Sequence, residues 1–204
     1  MDLDLEGKAQ ELAEAWHGPQ GATSSQPALL MVSGLPGTGK SYLSRILAER
    51  LPAVVVSSDN VRKSLFPAPA YTADESAVTH RLCRMVVAKL LSRGANVIYD
   101  ATNLVERQRE AIYHLADKAE ARLVLVRLTA PEEVVRQRLA QRQECRDAWD
   151  RSDAGWEVYQ AMRRGAADGG RFQRNVIVVD TSQDLEPAIA KIVRVTRHSG
   201  VRRV

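Results

Sequence analysis

The chain has 204 residues, of which 45% are hydrophobic and 26% are charged. This balance is typical of one globular domain with its own core, and it excludes a disordered, collagen-like or coiled-coil chain. The net charge of +4 permits an anionic partner without requiring nucleic acid. No apolar run is long enough for a membrane helix, and the acidic N-terminus does not resemble a signal peptide. We therefore expect a cytoplasmic protein whose two cysteines, Cys83 and Cys145, are reduced.

The first predicted element is a short amphipathic helix over residues 4–17, with apolar side chains at helical spacing. Gly18 and Pro19 end it, and a polar linker follows. We therefore divide the chain into an N-terminal helix and linker, residues 1–27, and a main domain, residues 28–204. The apolar stripe of the helix has two interpretations. It packs on the main domain, or it docks another protein or an upstream domain.

Strands and helices alternate through the main domain. Runs rich in valine, isoleucine and leucine predict five buried strands, at 29–33, 53–57, 96–100, 123–128 and 176–180. Helical patterns lie between and beside them, at 40–50, 73–93, 104–120, 131–145, 153–165 and 184–197. Such alternation requires crossover connections, so we predict an α/β three-layer sandwich with a five-stranded parallel sheet covered on both faces.

The strongest motif follows the first strand. Residues 34–41 read GLPGTGKS, which matches the P-loop pattern G-x-x-x-x-G-K-[ST] and opens a helix. Glycines let backbone N–H groups surround phosphate oxygens, and the helix N-terminus adds partial positive charge. Lys40 is predicted to reach the β- and γ-phosphates, and the Ser41 hydroxyl to bind Mg²⁺. A guanine-reading N-K-x-D motif is absent from the sequence, which favours ATP. The predicted nucleotide-binding residues are Gly34, Pro36, Gly37, Thr38, Gly39, Lys40, Ser41 and Tyr42.

The second strand leads into a D-x-x-R pair, Asp59 and Arg62. The carboxyl end of a parallel strand faces the same crevice as the P-loop. A hydroxyl acceptor needs a carboxylate to take its proton and a cation to steady the phosphates or an anionic acceptor. We interpret Asp59 as the catalytic base and Arg62 as that cation. A second interpretation, compatible with the first, is that Asp59 is the N-cap of the next helix.

The third strand closes on Asp100, which is the Walker B pattern. Its carboxylate is predicted to hold Mg²⁺ directly or through water, together with Ser41. Thr102 and Asn103 follow at the same edge of the sheet. They contact the acceptor or cap the following helix, and the pattern does not choose between these roles.

Arginines crowd the C-terminal part of the chain. Residues 127–204 carry 15 basic and 11 acidic side chains, whereas residues 1–126 carry 14 of each. A dense series follows the fourth strand, namely Arg136, Arg138, Arg142, Arg146 and Arg151. Small P-loop kinases close an arginine-bearing lid over ATP, so we predict that Arg142 and Arg146 are catalytic, with Arg138 next. The alternative is a solvated helix surface.

Four segments together, GLPGTGKSYLSRILAERL, VVSSDNVRKSLF, VIYDATNLVERQRE and LTAPEEVVRQRLAQR, resemble the P-loop kinase-like family. That family includes the kinase domain of phage polynucleotide kinase and zeta-toxin-like and gluconate-kinase-like enzymes. The resemblance runs from about residue 28 to residue 182. It implies a P-loop NTPase sandwich with a lid at about 138–155, and an adenine-facing loop at 180–182. The implied active site consists of Lys40, Ser41, Asp59, Arg62, Asp100 and a lid arginine.

These features predict an ATP- and Mg²⁺-dependent phosphotransferase that moves the γ-phosphate to an acceptor hydroxyl. The D-x-x-R pair and the basic C-terminal part favour a 5′-hydroxyl of nucleic acid. The low aromatic content of 5% and the weak net charge fit a small molecule equally well. The alternative from another class is an ATP-binding switch or interaction module with slow hydrolysis, in which residues 4–17 dock the partner.

Overall fold

The structure, a computed structural model, describes residues 4–16, 26–144, 154–165, 172 and 174–197. Its elements are α1 (Leu5–Ala15), β1 (Ala28–Ser33), α2 (Lys40–Arg50), β2 (Ala53–Ser57), α3 (Ser58–Leu65), α4 (Ala73–Ser92), β3 (Asn96–Asp100), α5 (Glu106–Lys118), β4 (Arg122–Thr129), α6 (Glu132–Glu144), α7 (Trp156–Gly165), β5 (Val176–Asp180) and α8 (Glu186–Arg197). All the predicted strands and helices are present, with ends that differ by at most a few residues. None of these described helices is both long and apolar enough to cross a membrane.

The five strands form one parallel sheet in the order β2-β3-β1-β4-β5. Every residue of the central strand β1 is buried, and its side chains alternate between two core clusters. Leu29 and Met31 pack with α4 and α5, whereas Leu30 and Val32 pack with α2 and α8. The predicted α/β sandwich with a five-stranded parallel sheet is confirmed. The chain changes direction across the sheet at β1, which opens a crevice at the carboxyl end of that strand.

Helix α1 packs on α4. Its residues Ala9, Leu12 and Ala13 are buried in the same core cluster as the apolar side of α4. The Arg93 guanidinium at the end of α4 donates a hydrogen bond of 3.0 Å to the Ala13 carbonyl. These contacts confirm that the apolar side of α1 packs on the main domain, which covers it. The division of the chain at residue 27 stays a prediction.

The predicted lid is described only at its two ends. Helix α6 continues through Arg142 to Glu144, and α7 packs against it through a small apolar cluster of Val135, Leu139 and Tyr159. Residues 145–153 lie outside the described residues, and with them Arg146 and most of the lid. The boundaries of the lid therefore stay a prediction.

Candidate active site

The P-loop is a tight turn between β1 and α2. Gly37 and Gly39 have φ angles of 76° and 82°, in the left-handed region that favours glycine. A Cβ atom on Gly37 would lie 2.9 Å from Cγ1 of Val135 and 3.0 Å from Cγ of Leu139. Both the backbone conformation and the closeness of α6 therefore require glycine at position 37. Through this contact α6, which carries Arg138 and Arg142, rests directly on the loop.

Hydrogen bonds hold the loop in shape. The Thr38 hydroxyl and the Lys40 ammonium both donate to the Leu35 carbonyl, at 2.7 and 3.0 Å. The backbone N–H of Gly34 donates to the Thr102 carbonyl at 3.1 Å, which ties the loop to the end of β3. Of the predicted nucleotide-binding residues, Gly34 and Thr38 are buried in this framework. The others line the cavities described next.

Two cavities meet at the P-loop. The first, the α2–α8 cavity, has a volume of about 1020 Å³ and lies between α2, α6 and the loop that joins β5 to α8. The second, the Asp59 cavity, has a volume of about 460 Å³ and lies at the carboxyl ends of β2 and β3. The residues common to both linings are Gly37, Gly39, Tyr42 and Arg142. A molecule bound along the P-loop can therefore extend into both cavities.

The Asp59 cavity brings together six residues that were predicted to act in catalysis or metal binding. They come from the P-loop, α3, β3 and α6, and they are Lys40, Ser41, Asp59, Arg62, Asp100 and Arg142. The sheet explains this convergence, because Asp100 at the end of β3 is in register with Ser57 of β2 and Val32 of β1. Parallel strands therefore deliver the P-loop and the two carboxylates to one edge.

Asp59 lies inside the first turn of α3. The N-cap of that helix is Ser57, and it makes no side-chain capping bond. The interpretation of Asp59 as the N-cap is therefore wrong. A carboxylate in the first turn is nonetheless favourable because the partial positive charge of the helix N-terminus stabilises it. The same placement makes Asp59 part of the cavity wall.

Arg62 is buried, with 7% of its surface exposed. Its Nη2 donates to the Ser76 hydroxyl at 3.1 Å, and its Nη1 lies 3.6 Å from a Glu75 carboxylate oxygen. The ring of Tyr71 lies over the guanidinium, 4.9 Å from its Cζ atom. Among the described residues, Nε and Nη1 of Arg62 have no hydrogen-bond partner. Arg62 thus joins α3 to α4 at the wall of the Asp59 cavity.

His80, one turn after Ser76 on α4, also lines the Asp59 cavity. Its Nδ1 shares a hydrogen bond of 2.9 Å with the Tyr99 hydroxyl. Burial, with the positive charges of Arg62 and Arg84, lowers the pKa of His80 to about 4. Burial also raises the pKa of the neighbouring Cys83 thiol to about 12. At neutral pH this wall is therefore uncharged at His80 and at the thiol behind it.

Thr102 and Asn103 serve the framework. Asn103 is fully buried with a φ of 49°, and its amide donates to the Val32 carbonyl at 2.8 Å. The N-cap of α5 is Val105. The predicted capping role is therefore wrong for Asn103, which instead joins β3 to β1. Its contact with an acceptor stays a prediction. Thr102 lines the Asp59 cavity, as an acceptor contact requires.

Two arginines of α6 take different positions. The Arg138 guanidinium donates to the Thr181 hydroxyl and to the Thr181 carbonyl, each at 2.8 Å. The Thr181 hydroxyl donates in turn to the Thr38 carbonyl at 3.0 Å. Arg138 therefore holds α6, the loop after β5 and the P-loop together. Arg142, one turn further along α6, lines both cavities.

The oxygen donors at the P-loop fit a magnesium ion that arrives with a nucleotide. Ser41 and Asp100 line the same cavity, and Asp100 is buried. Within the described ranges, no three His, Cys, Asp or Glu side chains form a group that could hold a metal ion. Magnesium at a phosphate site needs few protein ligands, because phosphate oxygens and water complete its octahedron. A hydroxyl and one carboxylate suit that arrangement.

Sequence reasoning missed several residues that line the Asp59 cavity. Tyr71, Ser76 and His80 come from the α3–α4 connection and from α4, and Val158 and Met162 come from α7. None of them belongs to a motif. The only signal available in the sequence was the spacing of Ser76 and His80, and of Val158 and Met162, each four residues apart on a predicted helix.

A profile of the AAA domain family matches residues 29–168. The chain belongs to the AAA domain family. An uncharacterized protein of Mycobacterium tuberculosis is 29% identical over 181 residues, which are 83% of this chain and 34% of that protein. The chain thus spans about a third of the length of the mycobacterial relatives that it matches. An adenylyl-sulfate kinase of Myxococcus xanthus is 31% identical over 111 residues, 52% of this chain and 60% of the enzyme.

Solved structures confirm the P-loop kinase fold of this family member. A candidate kinase of Chloroflexus aurantiacus has a TM-score of 0.68 and 21% identity, and the match covers 83% of this chain and 98% of that one. The APS kinase of Mycobacterium tuberculosis, solved in complex with AMPPNP and APS, has a TM-score of 0.63 and 16% identity. That match covers 86% of this chain and 100% of the enzyme. The predicted P-loop kinase-like architecture is confirmed.

Proposed function

We propose that the chain is an ATP-dependent phosphotransferase that moves the γ-phosphate to a hydroxyl of an acceptor bound in the Asp59 cavity. One observation carries this proposal. The P-loop lysine and serine share a cavity with two carboxylates, Asp59 and Asp100, from neighbouring strand ends. Phosphoryl transfer to a hydroxyl needs these four groups together. The lysine contacts the phosphates, the serine and Asp100 are ligands for the metal ion, and Asp59 is the base that accepts the proton of the acceptor hydroxyl.

The nucleotide lies along the P-loop, with its nucleoside in the α2–α8 cavity. That cavity is continuous with the Asp59 cavity through Gly37, Gly39 and Tyr42, and it is large enough for a purine nucleoside. Lys40 pairs with the β- and γ-phosphates. Ser41 and, through water, Asp100 would hold Mg²⁺, which neutralises charge on the β- and γ-phosphate oxygens when it is bound. The loop from Asp180 to Ser182 flanks the base.

Asp59 activates the acceptor. Its carboxylate accepts the proton of the acceptor hydroxyl while that oxygen forms a bond to the γ-phosphorus. The bond from phosphorus to the β,γ-bridging oxygen breaks, and ADP leaves with the electron pair. Arg62 donates its Nε and Nη1 hydrogens to the transferred group or to the acceptor. Arg142 approaches from α6 and stabilises the negative charge of the transferring phosphoryl group.

The relatives support the reaction class. The Myxococcus xanthus relative, which matches about half of this chain, is an adenylyl-sulfate kinase. The alternative of an ATP-binding switch that docks a partner through residues 4–17 is weaker, because the apolar stripe of α1 is buried against α4.

Transfer of labelled phosphate tests the proposal. The protein is incubated with Mg²⁺ and ATP labelled at the γ-phosphate, together with 5′-hydroxyl oligonucleotides, sugars or aminoglycosides. We expect the label in an acid-stable phosphate ester of one acceptor class. Release of all the label as free phosphate with every acceptor, at a slow and acceptor-independent rate, would instead establish the switch.

A further inference from the structure

We propose that the acceptor is a compact, uncharged hydroxyl compound with a largely apolar body, and that Val158, Met162 and Tyr71 bind this body. The proposal rests on the proposed function, because that function assigns the Asp59 cavity to the acceptor. It goes further by naming the chemical class of the acceptor and the residues that select it.

Helix α7 has two apolar faces with different roles. Tyr159 on one face is buried against Val135 and Leu139 of α6, and this contact fixes the helix. Val158 and Met162, four residues apart on another face, line the Asp59 cavity and are 40% and 37% exposed. Large apolar side chains that wall a cavity and remain exposed to it are typical of a site for an apolar ligand.

Tyr71 adds an aromatic ring to the same cavity from a separate part of the chain. Its φ of 56° is uncommon for an aromatic residue. Two backbone hydrogen bonds hold it there, from the N–H groups of Ala70 and Tyr71 to the Glu75 carboxylate, at 3.1 and 2.7 Å. The ring covers the guanidinium of Arg62 and is itself 45% exposed. The structure therefore maintains an unfavourable backbone conformation that presents this ring at the cavity.

The charges at the acceptor end do not favour an anion. The positive charge of Arg62 is balanced by Glu75 at 3.6 Å and covered by the Tyr71 ring. His80 is neutral, and Asp59 is itself an anion. The other cations of the cavity, Lys40 and Arg142, come from the P-loop and from α6, where they serve the nucleotide phosphates. In the described lining this end of the cavity offers one cation, Arg62, whose charge Glu75 offsets, so a polynucleotide or a sugar acid would bring its negative charge close to the Asp59 carboxylate.

The size of the site points to a small acceptor. The whole Asp59 cavity measures about 460 Å³, and part of it holds the transferring phosphate and its metal ion. Typical small-molecule pockets measure about 300–1000 Å³. The remaining space suits a single ring with a short hydroxyl-bearing arm.

Matched pairs of hydroxyl compounds test the proposal. The pairs are glucose with phenyl β-glucoside, and glycerol with 3-phenoxy-1,2-propanediol. Dissociation constants are measured by calorimetry on the full chain with AMPPNP and Mg²⁺, so that binding is read without turnover. We expect the phenyl member of each pair to bind at least about 10-fold more tightly, because burial of a ring contributes strongly to affinity.

A double variant, Val158→Thr with Met162→Gln, keeps side-chain size and removes the apolar surface. We expect it to reduce the preference for the phenyl member to less than about threefold while the Kd of AMPPNP stays the same. The matched control is Val195→Thr on α8, where the valine is 41% exposed and lines neither cavity. This control should keep the full preference.

Equal binding within each pair, tighter binding of a 5′-hydroxyl oligonucleotide, or an unchanged preference in the double variant would each overturn the proposal. Transfer assays with the same compounds separate it from the proposed function. Phosphorylation of the polar members without a phenyl preference contradicts the apolar site alone. A phenyl preference in binding without transfer to any compound contradicts the phosphotransferase alone.

Discussion

The phosphate side and the acceptor side of this site are built in different ways. The phosphate side is largely one continuous segment, residues 33–42, which its own glycines and short-range hydrogen bonds shape and which contacts with β3, α6 and Thr181 support. The acceptor side combines α3, the connection to α4, α4 itself and α7, so its parts are separated by about a hundred residues of chain. Nucleotide binding is therefore encoded locally, whereas acceptor selection depends on the tertiary packing of helices around the sheet.

On the phosphate side, the largest effect is expected at Lys40. Lys40→Ala removes the cation that reaches the phosphates, so kcat/KM for ATP should fall by about 10²–10³-fold, as for the loss of other transition-state donors. Lys191→Ala, at an exposed position of α8, is the matched control and should change nothing. The measurement is steady-state transfer of labelled phosphate. If Lys40→Ala turned over as fast as the control, the P-loop lysine would have no part in the reaction.

A glycine pair tests how tightly the P-loop is built. Gly37→Ala places a methyl group in contact with Val135 and Leu139 at a left-handed φ, so unfolding free energy should fall by about 1–3 kcal/mol. Gly165→Ala, at the end of α7, adds a methyl group with nothing within 4 Å. This control should be neutral or slightly stabilising. Denaturant unfolding measures both, and equal stability of the two variants would contradict the close contact between α6 and the loop.

On the acceptor side, His80 should make the stability of the fold depend on pH. The pKa of His80 is lowered to about 4 in the fold from 6.5 when unfolded, so between these values the unfolded chain binds more protons. Stability is therefore complete above pH 6.5 and falls as the pH drops toward 4. From pH 7 to pH 5 the contribution of His80 to this loss is about 2 kcal/mol.

Two histidine variants isolate that contribution. His80→Gln, with a neutral side chain at every pH, should lose about 2 kcal/mol less than the wild type over this interval. His114→Gln, at an exposed position of α5, should follow the wild type. Unfolding in urea at pH 7 and pH 5 provides the comparison. If His80→Gln and His114→Gln lost stability equally, the imidazole would not be held neutral at the cavity wall.

The smallest effect concerns the link between the P-loop and the loop after β5. Thr181→Val removes the hydroxyl that binds both Arg138 and the Thr38 carbonyl. Because one hydrogen bond contributes about 1 kcal/mol, we expect the Kd of AMPPNP to increase about fivefold. Thr196→Val is the control, because this buried hydroxyl donates to the Ile192 carbonyl within α8. An equal Kd in both variants would show that the link does not position the nucleotide.

The sequence predicted the fold and the position of the P-loop in it well for a physical reason. Buried parallel strands have continuous apolar runs, and a P-loop has a contiguous pattern, so both can be recognised along the chain. Asp59 and Asp100 were placed at the cavity because strand ends of a parallel sheet share one edge. This part of the site needed no knowledge of side-chain packing.

The remaining residues could not be predicted because their roles depend on long-range contacts. Asn103 looked like a cap or a ligand, but its amide donates to the Val32 carbonyl of the neighbouring strand. Arg138 and Arg142 are equivalent in the sequence, and the position of Thr181 determines that Arg138 is the one that bonds to the loop after β5. Tyr71 and His80 line the cavity because α4 packs beside α3.

The central claim is that the Asp59 cavity activates an acceptor separately from nucleotide binding. Asp59→Asn keeps the size of the side chain and removes the base, and Asp74→Asn, exposed in the first turn of α4, is its matched control. The most direct measurement is the rate of γ-phosphate transfer to the preferred acceptor, alongside the Kd of AMPPNP. We predict that Asp59→Asn lowers transfer by about 10²–10⁴-fold while the Kd stays within about threefold of the control. Transfer by Asp59→Asn at the rate of the control would contradict this account.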